Sequence, residues 1–390
     1  MSKIELTAPC NFALEAVLAR EIRDLGYETT LVEDGRVNFE TDEYGICMAN
    51  LWLRTAERIL IKVGEFYAET YDELFESTKK LPWHKWIPRD AEFPVAKASS
   101  IKSKLFSASD NQAIVKKAIV GSMKQKHKLD WFPESGPKYP IHVFINKDKV
   151  VLYLDTTGYA LHKRGYRELA NEAPIKETLA AAMVLLTPWR EDRLLVDPFC
   201  GSGTILIEAA LIGLNMAPGL NRSFTAEEWE MTPKDMWEKA REDARGKIRT
   251  DVKMTLQGYD IDEQSLKVAR NNAKLAGVES QIHFQKRDVR ELSSTDKYGF
   301  VVTNPPYGER MQDNKSVESL YKDMGKVMKK LDSWSFYVIT AHEGFEKLFG
   351  RRADKKRKLY NGMMKTDFYQ FYGPKPPRAP REEKSEESVE

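Results

Sequence analysis

From about residue 160 the sequence alternates short apolar runs with segments of helical period, and this alternation constrains the fold more than any other feature. "RLLVDPF" (193–199) is strand-like and leads through a glycine turn into the helical "TILIEAALIG". "MTLQGYDI" (254–261) predicts a second strand, and Asp262 is placed to cap the next helix. Leu266, Ala269, Ala273 and Ala276 of that helix share one face, and Gly277 ends it. "IHFQKRD" (282–288) and "GFVVTN" (299–304) predict two more strands, a helix near 316–331 follows, and "SFYVITA" and "DFYQFYG" close the set. Strands separated by helices pair in parallel, so the expected fold is α/β with a mostly parallel, doubly wound sheet. A charged insert at roughly 215–250 breaks the alternation, and its "TPKDMWEKAREDARGKI" predicts a surface helix.

The first ~160 residues read differently, as mixed α and β with short strands and two or three helices. Phe12, Leu14, Val17, Leu18, Ile22 and Leu25 recur at helical spacing, with Gly26 as a stop. "HVFINKDKVVLYLDTT" (142–157) predicts a hairpin turning at Asn146–Lys149. Pro174 sits where the first helix of the second region would begin. The tail "PKPPRAPREEKSEESVE" is proline-rich, then acidic, and is expected to be disordered.

With 390 residues the chain has room for two or three domains. No apolar run approaches the roughly 18–20 residues that span a bilayer. The N-terminus lacks the pattern of a signal peptide, and the expected location is the cytoplasm. Cys10, Cys47 and Cys200 are too scattered for a disulfide framework or a thiolate metal site, and no metal is expected. The net charge of +2 conceals two basic stretches. Residues 97–128 hold eight lysines against one acidic residue, and residues 345–381 hold eleven Lys or Arg against three. One such stretch could be a solvated face; two, flanking a candidate site, point to a phosphate backbone.

In open α/β sheets ligands bind beyond the carboxyl ends of the strands. Four motifs fall there. In "DPFCGSGT" (197–204), Gly201 and Gly203 permit a tight turn, and the following helix presents N–H groups. No Gly-Lys-Ser/Thr follows, so this is not a Walker loop, and it departs from the three-glycine dinucleotide pattern. Asp260 ends the second strand, where a carboxylate can accept two ribose hydroxyls. Asp288 ends the third, within reach of an adenine amino group. Either could instead be a cap or turn residue. "VVTNPPYGER" (301–310) ends the fourth strand on Asn304, Pro305, Pro306 and Tyr307: a rigid backbone, one projecting amide and an aromatic face.

"DPFCGSGT", "GYDID", "QKRDV" and "TNPPYGER" resemble the ordered motifs of class I S-adenosylmethionine-dependent amino-group methyltransferases. Over nearly the whole chain the sequence is similar to bacterial THUMP-domain RNA methylases, the group that includes 23S rRNA guanine-N2 methyltransferases. "SKLFSASDNQAIVKKAI", "LHKRGYRELANEAPIKETLAAAM" and "MAPGLNRSF" carry this likeness. The resemblance implies a ferredoxin-like portion (1–60), a THUMP RNA-binding domain (61–160), a Rossmann-like methyltransferase domain (161–375) and a tail (376–390). It implies that Asp197, Phe199, Cys200, Gly201, Gly203 and Thr204 line the methionine end of S-adenosylmethionine. Asp260 and Ile261 would then meet the ribose side, Asp288 the adenine, and Asn304 both cofactor and substrate. Asn304, Pro305, Pro306 and Tyr307 would be the catalytic group, and Cys200 no nucleophile. Lys176 and Glu177 either close over the cofactor or simply start a helix. Some relatives carry a second methyltransferase domain; this chain ends soon after the first, so a second activity is not expected.

The implied substrate is guanine N2 in 23S rRNA or a large-subunit assembly intermediate, with no membrane partner. The rivals are a tRNA guanine-N2 methyltransferase, a DNA adenine-N6 methyltransferase, and a catalytically silent RNA-binding or ribosome-assembly factor.

Overall fold

A computed structural model describes residues 3–128, 131–167, 175–307 and 314–377. Pro174 and the chain from 378 onward lie outside the described residues. The first seven strands form one sheet. In chain order its elements are β1 (Ile4–Pro9), α1 (Glu15–Asp24), β2 (Thr29–Glu33), β3 (Arg36–Thr41), α2 (Glu43–Trp52) and β4 (Leu60–Tyr67). There follow α3 (Tyr71–Lys80), β5 (Val95–Ile101), α4 (Ala108–His127), β6 (Ile141–Asn146) and β7 (Lys149–Asp155). The strand order is β2-β3-β1-β4-β7-β6-β5, antiparallel except for β5 on β6. The pairing of Leu6 with Ile61 and Thr7 with Leu60 joins the two expected N-terminal portions into this single sheet. The expected hairpin is β6–β7. Its two-residue turn, Lys147 and Asp148, has positive φ at both positions (52° and 62°), the twist a tight hairpin requires.

The second region contains α5 (Glu177–Leu185), β8 (Leu195–Asp197), α6 (Thr204–Gly213), α7 (Lys234–Gly246), β9 (Leu256–Asp260), α8 (Glu263–Leu275) and β10 (Ile282–Lys286). After these come β11 (Phe300–Thr303), α9 (Asn314–Lys330), β12 (Ser335–Thr340), α10 (Phe345–Phe349), β13 (Lys355–Asn361) and β14 (Met364–Phe371). The order is β10-β9-β8-β11-β12-β14-β13, with the first five strands parallel and the last two antiparallel. This is the expected doubly wound, mostly parallel sheet. The chain winds outward from β8 to β10 and then returns to β11 on the other side of β8. That reversal opens a crevice at the carboxyl ends of β8 and β11, the position where such sheets bind ligands.

Two sequence expectations change. β13, "KKRKLYN", was absent from them because its run of charge hides the strand period; it is the sheet's edge, where lysines are common. The insert helix α7 is no mere surface helix. Its Trp237, Ala240 and Ala244 are buried, a narrow stripe within a charged sequence. Trp237 stacks on Phe224 at 5.2 Å. Trp229 stacks on Tyr139 at 4.3 Å and donates from Nε1 to the Lys138 carbonyl, so the insert fastens the N-terminal region to the second sheet. Buried Arg54 strengthens the junction by donating to the Met216 carbonyl (2.9 Å). Among the described residues no helix is long and apolar enough to cross a membrane.

Candidate active site

β8 stops after three residues because Asp197-Pro198 turns the chain away, and Asp197 is left buried beneath the crevice. Its Oδ1 accepts from Thr303 Oγ1 of β11 (2.6 Å) and from the Phe199 amide (3.1 Å). Burial pushes this carboxyl up to about 7, and the nearby Asp260 charge adds to the rise. Phe199 packs half-buried against the β11–β12 side of the core.

The glycine turn is built as its sequence suggests. Gly201 and Gly203 have φ of +49° and +80°. A Cβ on Gly201 would meet nothing within 4 Å, so open space lies beside that backbone. A Cβ on Gly203 would come within 3.0 Å of Phe284 and 3.1 Å of Ala269, so only glycine lets α6 start against α8 and β10. The Gly201 amide donates to Asp260 Oδ2 (3.0 Å), and the Asp262 amide donates to Asp260 Oδ1 (2.9 Å). Each Asp260 oxygen therefore keeps a lone pair for a ligand. Ile261, beside it, is 67% exposed.

Cys200 is buried with its amide bonded to the Tyr259 carbonyl, and burial holds its thiol well above the usual range. It is a packing residue and a poor nucleophile. Asp288 lies beyond the paired end of β10. Its carboxylate caps a short turn through the Arg290 amide (2.8 Å) and pairs with the Arg290 guanidinium (2.9 Å). The cap reading thus holds for Asp288, although its side chain stays part-exposed.

Asn304 follows the last residue of β11, with Pro305 buried and Pro306 exposed. The Tyr307 hydroxyl donates to Asn304 Oδ1. This fixes the amide so that its oxygen faces the tyrosine and retains a second lone pair. Tyr321 of α9 donates to the Pro306 carbonyl (2.7 Å) and bonds Thr340 at the end of β12 (2.9 Å). The loop is therefore held from beneath.

Asp197, the glycine turn, Asp260 and Asn304 meet at one crevice, and Asp288 stands at its side. The sequence gives no sign of Arg167, which supports the glycine turn from behind. Arg167 Nη2 donates to Thr204 Oγ1 (2.7 Å) and to the Ile175 carbonyl (2.9 Å), and its Nε lies 3.4 Å from Glu177. Glu177 is buried with Oε2 unpartnered, and burial raises its carboxyl. Lys176 precedes α5 and pairs with Glu57 (3.8 Å), which also accepts from Thr178 (3.0 Å). This pairing ties Lys176 to the N-terminal region and favours its helix-start reading. An isolated arginine or tyrosine far away in sequence gives no signal of these contacts; only the fold brings them in. Among the described residues no cluster of His, Cys, Asp or Glu could hold a metal ion.

Three family models match the chain: an RMKL-like methyltransferase domain over residues 164–370, an RlmL ferredoxin-like domain over 5–60 and a THUMP domain over 68–155. The chain is 50% identical over 374 residues to the "Putative RNA methyltransferase YpsC" of Bacillus subtilis, covering 95% of this chain and 97% of that protein. It is 34% identical to the "Ribosomal RNA large subunit methyltransferase K/L" of Syntrophotalea carbinolica, covering 98% of this chain but 56% of that longer protein. Among solved structures, SMU.472, described as a putative methyltransferase complexed with SAH, superposes with a TM-score of 0.92 at 43% identity, covering 97% of this chain and 100% of that one.

Proposed function

The chain belongs to the RMKL-like methyltransferase family, and we propose that it methylates guanine N2 in 23S ribosomal RNA, free or within a large-subunit assembly intermediate. The observation that carries this reading is the Asn304-Pro305-Pro306-Tyr307 loop beside the glycine turn, at the reversal of the sheet.

The residues fit S-adenosylmethionine. Open space beside Gly201 admits the ligand, and the two remaining Asp260 lone pairs suit the two ribose hydroxyls. Exposed Ile261 gives an adenine ring an apolar surface, with Asp288 at its side. Phe199, Cys200, Gly203 and Thr204 shape the turn around the methionine end. The cofactor supplies an electrophilic methyl group on a positively charged sulfonium.

The protein's own residues have a different task. An amino group on a base is a weak nucleophile because its lone pair is delocalised into the ring. Asn304 Oδ1 and the Pro305 carbonyl accept its two N–H bonds, which turns the lone pair out of the ring. The prolines hold the second acceptor rigidly, so alignment costs little entropy; positioning of this kind supplies roughly 7–11 kcal/mol in favourable cases. Tyr307 stacks on the extruded base, worth ~1–3 kcal/mol. The methylated nitrogen loses its proton to water, so no strong base is needed.

RNA is favoured over DNA by the THUMP-domain match and the two basic stretches. A tRNA substrate would use the same chemistry and is the nearest rival. A silent assembly factor would have no need of Asn304, Asp260 and the open glycine turn together. Asn304→Ala tests the reading: methyl transfer should fall at least about 100-fold while RNA and cofactor binding persist. Undiminished transfer would overturn it.

A further inference from the structure

Met363 is 99% exposed, more than any other large apolar side chain among the described residues. It stands in the turn between β13 and β14. Asn361 pairs with Met364, leaving Gly362 and Met363 as a two-residue loop with positive φ (63°) at its first position only. Glycine suits that first position, and the second ordinarily takes a small polar residue. Turn chemistry therefore gives no reason for methionine, and an apolar tip in water contributes nothing to stability.

The strand register says where this tip points. β14 runs antiparallel to β12 with Asp367 opposite Thr340, the last residue of β12, so Met364–Thr366 extend beyond that edge. Three residues of strand reach roughly 10 Å further. The overhanging edge is the carboxyl edge, where β11 ends at Thr303 and Asn304 begins. β14 lies two strands from β11, roughly 10 Å sideways. The hairpin is also anchored. Arg357 donates to the Ala13 carbonyl (2.8 Å), and Tyr360 meets Phe12 edge-to-face at 6.1 Å. Lys358 and Lys365 are exposed on its two strands.

We infer that this hairpin is the element that holds a base-paired RNA open, with Met363 entering the stack where the target nucleotide has left it. The inference rests on the functional reading above. A base extruded towards Tyr307 leaves a gap between its neighbours, and an unbranched thioether adapts to such irregular space. Apolar wedges at base steps serve this purpose in other nucleic-acid complexes, and flanking lysines meet the phosphates on either side. The occupant is thus the paired segment of RNA next to the target.

The test begins by mapping the nucleotide that the wild-type protein methylates in large-subunit ribosomal RNA. A stem-loop spanning it is then made in two forms, fully paired and with the target's partner base deleted. Met363→Ala should lower kcat/KM on the paired form roughly tenfold while leaving the deleted form within about twofold, because that base is already free. With 2-aminopurine at the target, the wild-type fluorescence rise should shrink in Met363→Ala and return in Met363→Leu. Equal rates of wild type and variant on the paired form, or an equal loss on both forms, would overturn the inference and leave the functional reading standing. A wild-type protein that methylates no RNA would overturn both.

Discussion

Asn304, Asp260 and Asp197 occupy successive strand ends, yet each is asked for something different. In the proposed mechanism Asn304 would supply an acceptor to the reacting amine. Asp260 should matter chiefly to cofactor affinity, both directly and through the Gly201 and Asp262 amides it holds. Two charge-assisted hydrogen bonds are lost in Asp260→Ala, so binding of S-adenosylmethionine should weaken about 10- to 100-fold by calorimetry, with the RNA affinity unmoved. An unchanged cofactor affinity would remove Asp260 from the site. Asp197 makes a prediction about stability. Its carboxyl, pushed up to about 7, holds a proton more tightly in the folded chain than in the unfolded one. The folded state is therefore favoured most at low pH, and this contribution is lost as pH rises from about 4 to 7, by roughly 4 kcal/mol at most. Asp197→Asn keeps an acceptor for Thr303 and removes the titration. Chemical denaturation at pH 5 and pH 7.5 should show a smaller loss of stability in the variant; equal slopes would contradict the account. The Asp197, Asp260 and Asn304 positions were legible because each closes an apolar strand-like run. Arg167 and Tyr321 were not, since their partners Thr204 and Pro306 lie 37 and 15 positions away and come near only through the fold.

The elements show the same division. α6, α8 and the β6–β7 hairpin follow from local signals: a glycine turn, an Asp262 cap, and a polar turn between β-rich runs. β13 did not, because edge strands are charged rather than alternating, and neither did the buried stripe of α7. At this scale Gly203 is the sharpest test. Its positive φ and the closeness of Phe284 and Ala269 mean that Gly203→Ala adds both backbone strain and a clash where α6 begins. A loss of about 1–3 kcal/mol is expected, read by denaturant unfolding, together with weaker cofactor binding. Full stability and affinity would show that the turn tolerates a side chain and that its glycines are incidental.

At the scale of the whole molecule, the catalytic sheet and the N-terminal sheet are fastened by an insert whose composition suggests a solvent-facing helix. Trp237→Ala should cost about 3–5 kcal/mol, since it leaves a large buried cavity at this junction. A drop in methylation of ribosomal RNA that exceeds the drop in cofactor binding would follow if the junction also orients the RNA. The measurement that tests the central claim most directly is methyl transfer from labelled S-adenosylmethionine by the purified protein. Stripped ribosomal RNA, intact subunits, bulk tRNA and duplex DNA would be offered, followed by nucleoside analysis. The account predicts N2-methylguanosine in ribosomal RNA. N2-methylguanosine confined to tRNA would keep the mechanism and overturn the substrate; N6-methyladenine in DNA, or no transfer to any acceptor despite cofactor binding, would contradict the account.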